Sequence, residues 1–355
     1  MPEINPMQTA AAPPRAVSKT TILMSGLLCD VYGLAELSSA QQRSPSAVSC
    51  LWLYHGRLRA KEDMGDFAAR VVSRWNSSDQ RTKAGRGLIA VAFDQRNHGS
   101  RLLSATANES WKGGNRAHAL DMYGMVAGMV NDTKGLMDAV EGYVKMEMDE
   151  GGKQGWKIDQ HLALGVSLGG HSVWQAMFGE ARMEAGVVII GCPDYMALMS
   201  DRAKRSKLST YSAEDDGASF LGSRDFPSDL VAACLRGDPK GILFGTGAIP
   251  AAEDNLPEAE IQRLRALLDA RLGDKKILVC SGGDDRLVPY AKTQPFVELL
   301  QNATKTWYAD RGLEVENIVY DGVGHLFSDG MVEDACRFLV DAVARAGEVP
   351  ERSKI

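Results

Sequence analysis

The chain has 355 residues, 45% of them hydrophobic and 24% charged, with a formal net charge of −6. That length allows one large domain or two ordinary ones, each able to bury a proper core. The mild acidity argues against nucleic acid or an anionic membrane as main partner, since either favours a basic stripe, and no stretch approaches the roughly 18 apolar residues needed to cross a bilayer.

Residues 1–18, with PEINPMQTAAAPPR, have the composition of a disordered tail. The next segment, TTILMSGLLCDVYG, follows Arg15 and Lys19 as a secretory leader would. Ser25, Gly26 and Asp30 break its apolar run, so an edge hairpin near 20–33 is expected instead. AVSCLWLYHG (47–56) is a continuous apolar strand ending in His-Gly, and MGDFAARVVSRWN behind it has helical spacing. GLIAVAFD (87–94) is a second buried strand, running into the polar loop QRNHGSR. Helical spacing returns in DTKGLMDAVEGYVKMEM (132–148), and Met122, Met125 and Met129 share one helical face as pliable core packing.

QHLALG leads into GVSLGG (165–170), and SLGGHSVWQAMFG continues as a helix. AGVVIIG (185–191), KKILVCSGG (275–283) and VENIVYDG (315–322) are further apolar strands, the last two followed by the helices QPFVELLQNA and GMVEDACRFLVDAVARA. Strands that are apolar throughout must be covered on both faces, and alternation with helices implies parallel pairing by crossovers. The expected fold is therefore an α/β doubly wound, mostly parallel sheet, with its core at 19–192 and 275–347. Between 193 and 274 the alternation stops, leaving polar runs (SDRAKRSKL, SAEDDGAS) and the amphipathic PEAEIQRLRALLDARLG, whose start Asn255 would cap. This insertion is expected to form a helical lid.

The six cysteines (Cys29, Cys50, Cys192, Cys234, Cys280, Cys336) show no CxxC pair and lie largely in apolar runs. They are expected to be reduced, buried residues of a cytoplasmic protein rather than a disulfide frame or a metal site. KRSK (204–207) is expected to be a solvated helix face, with an anionic substrate handle the alternative.

GVSLGG places one hydroxyl between small residues where a strand must turn sharply into a helix. Sites in open parallel sheets form beyond the carboxyl ends of the strands. Gly165-Val166-Ser167-Leu168-Gly169 fits the G-x-S-x-G nucleophile elbow, although an ordinary turn with a capping serine would look the same. A serine needs a base, and the base needs an orienting acid, in the chain order serine, acid, histidine. His171, on the elbow's own helix, is expected to pack or cap there. His325, in the glycine-rich loop after the last strand, suits the base. Asp284 and Asp285 are adjacent candidates for the acid, with Asp321 more remote. The oxyanion hole needs two N–H groups: that of Leu168, and one from the loop His55-Gly56-Arg57-Leu58, with Arg57 preferred, Leu58 possible and His55 bracing the turn. Gly56 and Leu58 would border the substrate. Asp94 and Arg96 are expected to tie down the loop after their strand, and Trp111, Tyr123 and Trp174 either fill core or line a pocket.

Strand-HG, FDQRNHGSR, GVSLGG, GGDDRLVP and GVGHLF, in that order, resemble the α/β-hydrolase superfamily over nearly all of residues 20–345. In that family the acid precedes a Leu/Val-Val-Pro stretch, which implies Asp285, ahead of Arg286-Leu287-Val288-Pro289. Asn97 stands where many relatives carry glycine. NRAHALDMYGMVAGMVNDTKGLMDAV is similar to the esterase-type relatives of the prolyl oligopeptidase (S9) hydrolases, which carry an Asp-Met-Tyr helix before the elbow; at 355 residues no propeller domain is expected. The resemblance implies an enzyme cleaving small-molecule esters, thioesters or amides without metal or organic cofactor; the sequence is silent on oligomeric state, with a monomer or homodimer as the default expectation. An acyltransferase or lyase using the same triad, or a ligand-binding protein of low turnover, are the alternatives.

Overall fold

In a computed structural model of the chain, residues 6–7, 13–37, 45–148, 155–252 and 256–347 are described. The strands are β1 (Lys19–Met24), β2 (Leu27–Tyr32), β3 (Ala47–Tyr54), β4 (Arg86–Phe93), β5 (Lys157–Val166), β6 (Met183–Ile189), β7 (Lys276–Gly282) and β8 (Glu314–Tyr320). Among the described residues they form one sheet in the order β1-β2-β4-β3-β5-β6-β7-β8. β1 and β2 are the expected edge hairpin, closed by Ser25 and Gly26 at φ 50° and 82°, which matches the twist of a tight two-residue turn. β2 also runs antiparallel to β4, and every neighbour pair from β4 to β8 is parallel.

The period-two alternation of a strand sorts each apolar run onto two covered faces. In β3, Val48, Cys50, Trp52 and Tyr54 join one core with Met129, Trp174, Leu268 and Phe296. Leu51 and Leu53 join the opposite core with Phe67, Val71 and Leu339. Helices α1 (Gly65–Asn76) and α8 (Asp329–Ala344) supply the second face. Helices α2 (His118–Met137), α3 (Leu168–Gly179), α6 (Glu258–Arg271) and α7 (Gln294–Lys305) supply the first. Met122, Met125 and Met129 are all buried, as their spacing predicts.

Residues 193–274 divide in two. Helices α4 (Tyr195–Ser206) and α5 (Ser228–Gly237) bury Tyr195, Leu198, Met199, Leu230 and Cys234 against Met122, Val126 and Leu168, beyond the carboxyl ends of the strands. Helix α6 instead sends Leu264 and Leu268 into the core with Ile277 and Val279 of β7. Asn255, the expected cap of α6, lies outside the described residues; Pro257 is the residue before its first turn. From the amino-terminal stretch expected to be a tail, Pro6 is buried and its carbonyl accepts the Phe327 N–H at 2.8 Å. All six cysteines are free and buried, and no described helix is long and apolar enough to cross a membrane.

Five histidines are buried, and burial first of all lowers His55 and His161 to about 4 and His118 and His171 to about 3. The folded state keeps these rings neutral, whereas the unfolded chain takes up their protons below about pH 6.5. Stability is therefore complete above that pH and is lost as the pH falls from about 6.5 towards 4. Each of the four loses stability on the order of 1–2 kcal/mol at pH 5 relative to pH 7, all with the same sign. Urea unfolding followed by circular dichroism at the two pH values should show the midpoint collapse at pH 5; an unchanged midpoint would show that these rings are not held neutral.

Candidate active site

β5 and β3 are neighbours while β4 lies on the other side of β3, so the chain reverses direction across the sheet at this point. The loops after β3 and β5 diverge there and leave a crevice. Ser167 sits at its floor, between the end of β5 and the start of α3, with φ 55° and ψ −109°. A left-handed backbone at a residue with a Cβ costs about 1–3 kcal/mol and persists only where its surroundings enforce it. Here the Ser167 N–H donates to the Ile189 carbonyl at 2.9 Å and its own carbonyl accepts the His171 N–H at 3.1 Å.

The glycines make this possible by absence. A methyl group on Gly165 would overlap the Gly169 carbonyl, and one on Gly169 would overlap the carbonyl of Tyr54 in β3. Both obstacles are backbone and cannot rotate away. Gly165→Ala and Gly169→Ala are each expected to destabilise by the upper end of the roughly 1–3 kcal/mol typical of overpacking, read as a drop in Tm. A Tm unchanged in both would mean that the elbow tolerates the crowding.

Three distant side chains meet above the elbow. The Ser167 hydroxyl lies 2.8 Å from His325 Nε2, and His325 Nδ1 lies 2.8 Å from Asp285 Oδ2. The ring position between them gives Nδ1–H donating to the carboxylate and Nε2 accepting from the hydroxyl. The other carboxylate oxygen, Asp285 Oδ1, accepts the Leu287 and Val288 N–H groups at 2.8 and 2.9 Å. Asp285 is buried, His325 keeps 16% of its side-chain surface, and Ser167 is 8% exposed. Asp284 points outward as an exposed residue while its N–H donates to Val323, and Asp321 is exposed as well.

The loop after β3 is braced by His55, which is fully buried. Its Nδ1 donates to the Gly56 carbonyl at 2.8 Å and its Nε2 accepts the Gln95 N–H at 3.0 Å. Leu58 turns at φ 59° and the Arg59 N–H closes the bend onto Gly56. Gly56 lies against the Val166 carbonyl, next to the elbow. The Arg57 side chain donates to the Asn108 carbonyl. Leu168 is the first residue of α3, so its N–H is one of the helix-start amides with no partner inside the helix.

Asp94 and Arg96 hold the neighbouring loop. Asp94 accepts the Lys61 and Ser100 N–H groups at 2.9 and 2.8 Å. Burial raises its carboxyl, but these hydrogen bonds prevail and hold it below the usual range. Arg96 reaches Asp132 on α2 at 2.9 Å. Asn97 adopts φ 60°, the left-handed conformation that glycine takes freely and asparagine tolerates. Its side chain accepts the Leu103 and Ser104 N–H groups, at 3.0 and 2.9 Å. His171 packs as expected, its Nδ1 accepting the Cys192 N–H at 2.9 Å. Trp174 fills core, while Trp111 and Tyr123 lie around α4. In KRSK, Lys204, Arg205 and Lys207 are exposed. The arginine that sequence reading passed over is Arg202, which continues the Tyr195–Met199 apolar face of α4 by helical spacing.

The sheet order and the elbow define the α/β-hydrolase fold. No protein-family model matches the chain, and no curated protein matches it. The chain is similar to several solved structures. The Thermus thermophilus protein TT1662 is 15% identical with a TM-score of 0.51, the match covering 94% of this chain and 100% of that one. The Pyrococcus furiosus esterase Pf2001 is 13% identical with a TM-score of 0.43, over 92% of this chain and 98% of that one. A puromycin-hydrolyzing peptidase of Mycobacterium tuberculosis is 11% identical with a TM-score of 0.46; the match covers 93% of this chain but 40% of that longer one.

Proposed function

We propose that the protein is a serine hydrolase that cleaves small-molecule carboxylic esters or thioesters through an acyl-enzyme. The observation that carries this reading is the unbroken hydrogen-bonded row from Ser167 Oγ through His325 to Asp285, with 2.8 Å at each step. Ser167 Oγ attacks the substrate carbonyl carbon while its proton passes to His325 Nε2. Asp285, fixed by its two backbone donors, holds the ring in the required tautomer and stabilises the imidazolium. The oxyanion is met by the N–H groups of Leu168 and Arg57, with Gly56 and Leu58 beside the substrate. His325 then gives its proton to the departing alcohol or thiol. Water repeats the sequence on the acyl-enzyme and releases the acid. Each step needs only these residues and water, and α4 and α5 form the lid.

A series of p-nitrophenyl esters and acyl thioesters of rising chain length, assayed with and without methanol, tests this reading. The expected result is turnover of short acyl chains, with water the main acceptor. Predominant transfer to methanol would make the protein an acyltransferase, and absence of turnover with tight ligand binding would make it a receptor.

A further inference from the structure

Helix α4 carries a cation where its apolar face should be. Arg202 Nε is buried and has no hydrogen-bond partner. Arg202 Nη1 touches Met122 Sδ at 2.9 Å and His118 Nε2 at 3.5 Å. Among the described residues no carboxylate pairs with Arg202; the adjacent Asp201 serves Arg205. Burial first, then the like charge of Arg57, lowers Arg202 to about 10. Arg202 as a whole is partly buried, and a guanidinium withdrawn from water without a carboxylate partner is unfavourable.

Two further ring nitrogens are buried without a partner. Trp111 Nε1 is buried without a partner, and the Trp111 ring stands edge-on to His118 with 4.9 Å between centroids. His118 gives its Nδ1–H to the Glu109 carbonyl at 2.9 Å, which leaves Nε2 as an acceptor facing Arg202. His171 Nε2 is the third orphan. Cys192 offers His171 Nδ1 both its N–H at 2.9 Å and its carbonyl at 3.2 Å, so both ring tautomers are served there, and the one that accepts the N–H carries its proton on Nε2. Arg202 Nε and Trp111 Nε1 are N–H donors, His171 Nε2 is one in that tautomer, and donors without acceptors call for an oxygen-rich anion. The place adjoins the proposed chemistry. His171 is one turn beyond Ser167 on α3, and Arg202, His325 and Asp285 all act on it electrostatically.

We propose that Arg202, with Trp111 Nε1 and His171 Nε2, forms a subsite that recognises an anionic oxygen group, carboxylate or phosphate, carried by the substrate. The proposal rests on the hydrolase reading and narrows its substrate class to acidic esters or thioesters. Arg202 is here a specificity-determining residue.

The test compares p-nitrophenyl butyrate with mono-p-nitrophenyl succinate, similar in chain length and differing in a terminal carboxylate. The native protein should favour the succinate ester in kcat/KM by about tenfold or more, and Arg202→Gln should remove that preference. Glutarate and inorganic phosphate, added as competitors of butyrate hydrolysis, distinguish the two sources of the anion. Tm supplies the second readout: Arg202→Gln and Arg202→Met should both raise it, because each removes a partly buried charge that has no carboxylate partner. A merely structural arginine would instead lower it. Equal use of the two esters by the native protein, with no inhibition by either anion, would overturn the proposal. So would an Arg202→Gln protein that keeps the preference. If the native protein turns over neither ester, the hydrolase reading fails, and calorimetry with glutarate and phosphate then decides the subsite by itself. Binding lost in Arg202→Gln supports it, and no binding to the native protein refutes it.

Discussion

Ser167→Ala is expected to lower kcat for p-nitrophenyl acetate by about 10⁴- to 10⁶-fold and to abolish labelling by a fluorophosphonate probe. The magnitude follows from how a triad works. Its members act as a unit, so loss of the nucleophile costs nearly as much as loss of all three. The residual rate is what oxyanion donors and binding supply alone. The side chain removed is small, buried and hydrogen-bonded only to His325 among the contacts that define the row. Tm should therefore change little, or rise, because the remaining backbone at φ 55° is held by Ile189 and the surrounding glycines rather than by the hydroxyl. A rate loss accompanied by collapse of Tm would point to unfolding; strong labelling that survives would place the nucleophile elsewhere.

The second large effect separates two adjacent carboxylates. Asp285→Asn is expected to cost about 10⁴-fold in kcat, because an amide in that position no longer enforces the Nδ1–H tautomer of His325. Asp284→Asn should stay within about threefold, since surface changes away from special features fall within about 0.5 kcal/mol. The difference comes from one residue of register in a turn. Asp285 is buried with both oxygens engaged, Oδ2 by His325 and Oδ1 by the Leu287 and Val288 amides. Asp284 faces solvent. Assaying both variants against the same ester series would show the asymmetry directly. Equal losses would mean that the turn is less rigid than its hydrogen bonds imply.

Much of this architecture is legible in the residues. AVSCLWLY, GLIAVAF and KILVCSG are apolar on both faces over most of their length, and only a sheet covered on both faces accommodates that. The Ser25-Gly26 turn and the GVSLGG bend are legible because few residue types tolerate their backbone angles. Between Asp284 and Asp285, by contrast, spacing alone is silent, because neighbours in a turn differ only in where the local hydrogen bonds aim them. The Leu-Val-Pro stretch that follows in related proteins supplied the preference.

Residues 193–274 were harder for a different reason. Helix α6 displays long charged side chains on most of its surface and buries only Leu264 and Leu268. Its role under the sheet therefore depends on two side chains that a composition-based reading passes over. Arg202 illustrates the same limit. The exposed cluster at 204–207 draws the eye, while the arginine whose position matters sits singly on the apolar face two residues earlier. Burial without a partner is a tertiary property that no window of sequence displays.

The most direct test of the central claim is to quench the reaction with p-nitrophenyl acetate in acid within the pre-steady state and to map the protein by mass spectrometry. The account predicts a burst of nitrophenol matched by one acetyl group, located on the peptide carrying Ser167 and absent from Ser167→Ala. An acetyl group on another residue, or steady turnover with a burst and no covalent adduct, would contradict it.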